Sequence, residues 1–131
     1  MKVRIHRGTQ QIGGTCIELA AEQSTGRILL DLGRPLDVQD ADAEAAVPEV
    51  PGLRNGADDL YGVLISHPHQ DHVGLIEYVA PSIPVGIGFA GQQILDRAAG
   101  WLGRPTLSGR PLHHWKSGTP TQFGPFTVTP Y

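Results

Sequence analysis

Alternating and continuous apolar runs recur along the chain and predict β-strands. Residues 2–7 alternate between polar and apolar side chains, which is the pattern of a half-buried strand. Val63-Leu64-Ile65 is a short apolar run bounded by turn-forming residues, which is typical of a buried strand. The predicted strands cover residues 2–7, 15–21, 27–31, 61–65, 84–88, 112–115 and 123–129.

Two other segments have the apolar spacing of helices. Residues 72–79 place apolar side chains at helix-compatible intervals, and Pro81 ends the segment. Residues 91–102 gather apolar side chains on one helical face and are followed by a glycine. Residues 34–58 are rich in Ala, Asp, Pro and Gly, and a loop of this length is usually functional or mobile. The order of elements predicts an α/β fold, with helices 72–79 and 91–102 on one face of a mixed β-sheet.

The length and composition of the chain add few constraints on its fold and location. A chain of 131 residues is enough for one domain with a modest core. It has no apolar run of about eighteen residues and no signal-peptide pattern, so we expect a cytoplasmic protein without a membrane span. The only cysteine, Cys16, excludes an internal disulfide and lies in an apolar strand, so we expect a buried small hydrophobe there.

The net charge of −3 is unevenly distributed along the chain. All thirteen acids lie in residues 1–96, whereas residues 97–131 hold four bases and no acid. The four dispersed bases are more typical of an ordinary surface than of a polyanion-binding site. Five acids without an intervening base predict a solvated loop; they are Asp37, Asp40, Asp42, Glu44 and Glu49.

The segment 67–72 carries the strongest chemical signal in the sequence. It reads His-Pro-His-Gln-Asp-His, holds half of the six histidines, and lies between the predicted strand 61–65 and the predicted helix 72–79. Imidazole nitrogens and carboxylate oxygens are preferred ligands of zinc and similar cations. His67 and His69 can bind one metal ion together. Asp71 and His72 can approach from another angle, so the segment is better suited to two metal ions than to one. A polar turn that is rich in histidine by chance is the alternative.

The pattern His67-x-His69-x-Asp71-His72 resembles the signature of the metallo-β-lactamase superfamily. Three upstream segments, residues 4–9, 12–19 and 28–33, resemble the opening strands of its ribonuclease J-like (β-CASP-related) branch, and they appear in the right order. An H-x-H pair alone would be a weak signal, because amidohydrolase barrels also carry one. Those barrels need roughly 200 residues or more, so this chain is too short for them.

The resemblance implies a fold and a set of metal ligands. The fold is the N-terminal half of an αββα sandwich. His67 and His69 would bind the first of two zinc ions, and Asp71 and His72 would bind the second. Asp71 would also act in catalysis by orienting the attacking water. Asp31 would support the site from beneath without binding metal.

The resemblance also implies a function, which the fold alone does not determine. The ribonuclease J-like branch implies hydrolysis of RNA phosphodiester bonds. A hydrolase of small esters, thioesters or lactams on the same fold is the alternative within the superfamily. A non-catalytic, truncated domain that binds metal weakly or not at all is the alternative from another class.

The chain lacks counterparts of the later metal ligands of the superfamily, because neither His113 nor His114 matches their motif. We therefore expect an incomplete domain over residues 1–131, which ends before the third ligand motif and has little hydrolase activity or zinc affinity by itself. We also expect an uncovered apolar sheet face to drive association into a homo-oligomer. The side chains expected to face water are Ile5, Ile17, Leu19, Leu30 and Leu64.

Overall fold

The computed structural model describes residues 1–104 and 107–131. In that part of the chain the strands are β1 (Lys2–Arg7), β2 (Cys16–Ala20), β3 (Arg27–Leu30), β4 (Leu60–Ile65), β5 (Val85–Gly88), β6 (Leu112–Trp115), β7 (Thr121–Phe123) and β8 (Phe126–Val128). The α-helices are α1 (Gln70–Val73) and α2 (Phe89–Leu102), and single 3₁₀ turns cover Asp40–Asp42 and Ile76–Tyr78. No helix in the described residues is long and apolar enough to cross a membrane.

Strands β1 to β6 form one mixed sheet in chain order. The pairs β1–β2 and β2–β3 are antiparallel, whereas β3–β4, β4–β5 and β5–β6 are parallel. The predicted α/β fold with a mixed sheet is confirmed. Because β3 to β6 run in the same direction, their carboxyl ends lie along one edge of the sheet, which is where open α/β sheets bind ligands.

One face of the sheet and the helices enclose the main core. Val63 and Ile65 of β4 point to this face and are completely shielded from solvent. Val73 and Leu75 of the 72–79 segment belong to the same buried cluster, and Leu95 of α2 packs against it. Helix α2 ends where Gly103 adopts a left-handed backbone, as helix C-caps commonly do. The predicted placement of the helical segments on one face is therefore correct.

Part of the long loop 34–58 belongs to the core, which the sequence analysis did not predict, whereas the five acids predicted to be solvated are exposed, as expected. Five of its apolar side chains are buried in the main core; they are Ala43, Ala46, Val47, Val50 and Leu53. Two ion pairs also involve the loop. Asp40 contacts Arg104, which follows α2, at 2.7 Å, and Glu44 contacts Arg54 within the loop at 3.2 Å. The apolar residues lie too irregularly in sequence to reveal this packing.

The prediction of a single helix over residues 72–79 is wrong. The structure has the short helix α1 and a separate 3₁₀ turn at Ile76–Tyr78. The N–H of Leu75 donates to the carbonyl of Leu32 at 3.1 Å, and the carbonyl of His72 accepts from the N–H of Leu32 at 2.8 Å. Because a neighbouring segment satisfies these backbone groups, the helix ends after one turn.

The prediction of a single last strand over residues 123–129 is also wrong, because this part of the chain belongs to a hairpin of β7 and β8. Gly124 turns the chain with φ of 53°, and a Cβ at this position would lie 2.3 Å from the Tyr61 ring. The hairpin covers part of the second sheet face, where Phe123 packs with Ile28 and Leu64. Leu64 is only 2% exposed, so the expectation that it meets water is also wrong.

The hairpin leaves the β1 end of this second face uncovered. Val3 and Ile5 are 59% and 52% exposed there, and β1 is an edge strand of the sheet. We propose that the chain associates with a second copy through this apolar end, most simply as a symmetric dimer. Burying apolar surface there would contribute about 25 cal/mol per Å².

We expect Ile5→Arg to convert the self-associated form into a monomer, since a charge would then have to be buried at the contact. Light scattering over a range of protein concentrations measures this change. Ile94→Arg is the matched control, because Ile94 is 56% exposed on α2, away from this face. An unmodified chain that is monomeric at every concentration would contradict the proposal.

Candidate metal centre

The predicted ligands lie at the carboxyl-terminal edge of the parallel strands: His67 and His69 are in the connection between β4 and α1, and Asp71 and His72 are in α1. The ring centroids of His67 and His72 are 3.9 Å apart, and those of His67 and His69 are 4.7 Å apart. Asp71 Oδ2 lies 3.3 Å from His72 Nε2. The structure thus brings all four predicted side chains into one cluster, which we call the histidine cluster (His67, His69, Asp71 and His72). Their roles as metal ligands stay predictions.

Asp31 supports the cluster from beneath, at the end of β3. It is 6% exposed and has a left-handed backbone, with φ of 58°, that aspartate tolerates better than most residues. Its Oδ2 accepts a hydrogen bond from His72 Nδ1 at 2.7 Å, and its Oδ1 accepts one from the backbone N–H of Ser66 at 2.7 Å. When the His72 ring is neutral, this contact leaves the lone pair on Nε2, the nitrogen that lies 3.3 Å from Asp71 Oδ2.

Backbone hydrogen bonds hold the ligand segment against the residue that precedes β2 and the residues that follow β3. The N–H of Thr15 donates to the carbonyl of Asp71 at 3.2 Å, and the N–H of Arg34 donates to that of Gln70 at 2.9 Å. The approach is so close that a Cβ on Gly33 would lie 1.7 Å from the carbonyl oxygen of Asp71. Gly33 is therefore needed for this contact, and no larger residue fits without moving the ligand segment.

Ser66 is a member of the site that the sequence analysis missed. Its hydroxyl donates to Asp31 Oδ2 at 2.9 Å and lies 3.0 Å from His67 Nδ1. The available signal was its position, immediately before His67 at the end of a strand. Because serine is common at strand ends, that position alone does not distinguish a functional residue from a turn residue.

The other candidate residues lie outside the histidine cluster. His6 contacts Glu18 at 3.2 Å, His113 packs edge-on against Phe123, and His114 contacts Gln92. Cys16 is buried, as expected, and its burial raises the pKa of the thiol to about 12. A thiol with that pKa is almost entirely protonated at neutral pH, so Cys16 is neither a nucleophile nor a metal ligand here.

The side chains of the histidine cluster are of the types that bind zinc-like ions, but they do not form a complete coordination shell. Three imidazoles and a carboxylate are suitable donors, and a carboxylate on the far nitrogen of a histidine is the usual support of a metal ligand. Among the described residues, however, no three His, Cys, Asp or Glu side chains are arranged to hold a metal ion. The donors are therefore of the right kind and in one place, without a complete set of converging ligands.

Comparison with known proteins gives a sequence relative and two similar structures. No protein-family model matches the chain. An RNase J-like protein of Methanocaldococcus jannaschii is 37% identical over 76 residues, which are 58% of this chain and 15% of that protein. The chain thus spans about a seventh of the length of this relative.

Two solved structures share the fold. A protein of unknown function from Enterococcus faecalis V583 superposes with a TM-score of 0.70 and 24% identity, over 93% of this chain and 35% of that chain. The metallo-β-lactamase SMB-1, solved in complex with mercaptoacetic acid, superposes with a TM-score of 0.51 and 19% identity, over 88% of this chain and 45% of that chain. The chain therefore has the metallo-β-lactamase fold and is similar in sequence, over 58% of its length, to an RNase J-like protein.

Proposed function

We propose that the chain forms the metal-binding part of a metal-dependent hydrolase that cleaves RNA phosphodiester bonds. The observation that carries the proposal is the histidine cluster at the carboxyl end of β4, with Asp31 bound to His72 Nδ1 at 2.7 Å. A buried carboxylate that orients a histidine raises the basicity of the opposite nitrogen, which is the atom that binds metal. A turn that is rich in histidine by chance would not need that buried partner.

The four candidate metal ligands form two pairs according to their position in the chain. His67 and His69 would hold one zinc ion, and Asp71 and His72 would hold the other. Bound zinc would supply Lewis-acid polarisation of a phosphoryl oxygen and a water that ionises near neutral pH. Asp71 would orient the attacking water through its carboxylate, and Asp31 would keep the His72 ring in place. The rigid end of β4 would keep these groups at fixed separations.

The name of the sequence relative favours RNA as the substrate. The RNase J-like protein matches 58% of this chain, whereas the likeness to SMB-1 is one of fold. The matched residues make up only 15% of the relative's length. The substrate is therefore proposed from sequence relationship, and the reaction type from the chemistry of the donors. A cytoplasmic location stays a prediction.

A non-catalytic domain is the second candidate, and one observation favours it. The described residues contain no group of three donors arranged to hold a metal ion. Two histidines give an ion only part of the four-ligand shell that zinc prefers. If further ligands are required, the 131 residues by themselves would bind zinc weakly and hydrolyse nothing.

Metal analysis and two substrates separate these functions. The full-length product of the gene, here called the whole protein, is purified and incubated with end-labelled single-stranded RNA and, separately, with a chromogenic lactam, both with zinc and after chelation. We expect zinc-dependent RNA cleavage that a chelator abolishes. Cleavage of the lactam alone would replace RNA by a small substrate. Absence of both activities, with less than one metal per chain, would overturn the hydrolase proposal in favour of the non-catalytic domain.

A further inference from the structure

The Ser66 hydroxyl lies at the centre of the network beneath the histidine cluster. It is 2.9 Å from Asp31 Oδ2, 3.0 Å from His67 Nδ1 and 3.4 Å from His72 Nδ1. The Ser66 backbone N–H also donates to Asp31 Oδ1 at 2.7 Å. Parallel pairing of β3 with β4 brings Asp31 and Ser66 together, although they are 35 positions apart in sequence.

With both histidine rings neutral, the donors and acceptors beneath the cluster allow one consistent arrangement of hydrogens. An Asp31 carboxylate can only accept, so the single hydroxyl hydrogen of Ser66 is donated to it. Towards His67 the Ser66 oxygen must then act as acceptor, and His67 Nδ1 must carry the hydrogen. Asp31 Oδ2 accepts from His72 Nδ1 in the same way. In both neutral rings the lone pair is consequently on Nε2.

We propose that Ser66 is a positioning residue through which the single carboxylate of Asp31 sets the tautomers of both His67 and His72. The two histidines belong to the two different donor pairs. Asp31 acts on His72 directly and on His67 through the Ser66 hydroxyl, which prepares both Nε2 atoms to bind metal. This role rests on the proposed metal binding, but the tautomers themselves exist without metal.

Nitrogen NMR of the histidine rings tests the proposal on the metal-free chain. In the ¹⁵N-labelled protein, at a pH where the rings are neutral, two-bond ¹H–¹⁵N correlations identify which nitrogen carries the hydrogen. We expect His67 and His72 as the Nδ1–H tautomer. We expect Ser66→Ala to move His67 towards the Nε2–H tautomer while His72 keeps its Nδ1–H, since Asp31 still contacts it. Ser66→Thr retains the hydroxyl and should restore the original tautomer of His67.

The outcomes separate this inference from the proposed function. An Nε2–H tautomer of His67 in the unmodified chain would overturn the inference without any variant, as would an unchanged His67 in Ser66→Ala. His113 is an internal control, because it contacts Phe123 and not Ser66. In a zinc titration, Ser66→Ala should weaken binding by about tenfold, as loss of a ligand's supporting hydrogen bond does. If the tautomers are as proposed but neither form binds zinc, the inference holds and the metal-dependent function fails.

Discussion

Gly33→Ala is expected to unfold the chain at a lower temperature and to disturb the histidine cluster. The new Cβ would lie 1.7 Å from the carbonyl oxygen of Asp71 and 2.9 Å from the backbone nitrogen of His72. These are backbone atoms, so no side-chain rotation relieves the overlap, and the ligand segment must move away. We expect a loss of about 3 kcal/mol in the free energy of unfolding, at the upper end of overpacking effects.

Thermal unfolding measures this effect, and a loss of that size lowers the Tm of a chain of this length by about 10 °C. Gly100→Ala is the matched control, because a Cβ at Gly100 meets no atom within 4 Å and the residue lies inside α2. Alanine is the better helix former, so the control should gain roughly 0.5–1 kcal/mol. Equal stability of the Gly33→Ala variant and the unmodified chain would show that the contact between Gly33 and Asp71 is looser than described.

Asp71→Asn is expected to lower RNA hydrolysis by about 10²–10⁴-fold, the range for loss of a positioned acid–base group. The amide is nearly the same size as the carboxylate but carries no charge for a cation and accepts no proton. The fold should survive, because the Thr15 N–H bonds to the backbone carbonyl of Asp71 and not to its side chain. The Tm should therefore stay within about 2 °C of the parent value.

The measurement is kcat/KM of the whole protein on single-stranded RNA at saturating zinc, together with the metal content of each variant. Asp37→Asn is the control, since it makes the same chemical change at an exposed position of the 34–58 loop. We expect the control to keep full activity. Full activity of Asp71→Asn would remove Asp71 from the mechanism, and with it the assignment of the second metal to Asp71 and His72.

The local pattern of the chain predicted most of the strands and the helix α2. A strand alternates or runs apolar over a few residues, so its evidence is contained in its own sequence, and the predicted and observed bounds of β1 to β6 differ by at most one residue at either end. The helix 72–79 and the strand 123–129 were wrong for a different reason. Their backbones bond to, or turn against, residues far away in sequence, such as Leu32 and Tyr61.

The same division applies to the candidate site. The spacing of His67, His69, Asp71 and His72 behind an apolar strand was enough to predict one cluster at a strand end, because all four side chains lie within six residues. Their supporting atoms come from elsewhere. Ser66 is adjacent to His67, but its partner Asp31 becomes a neighbour only when β3 pairs with β4.

The sequence by itself thus determined the kind of fold, the chemistry of the donors and their place at the end of β4. Only the tertiary structure decided that the 34–58 loop belongs to the core and that the hairpin of β7 and β8 shields Leu64. It also decided that the buried Asp31 carboxylate contacts His72 directly and is linked to His67 through the Ser66 hydroxyl. The physical reason is that periodicity reports which side of an element is apolar, whereas the element that covers that side depends on long-range pairing.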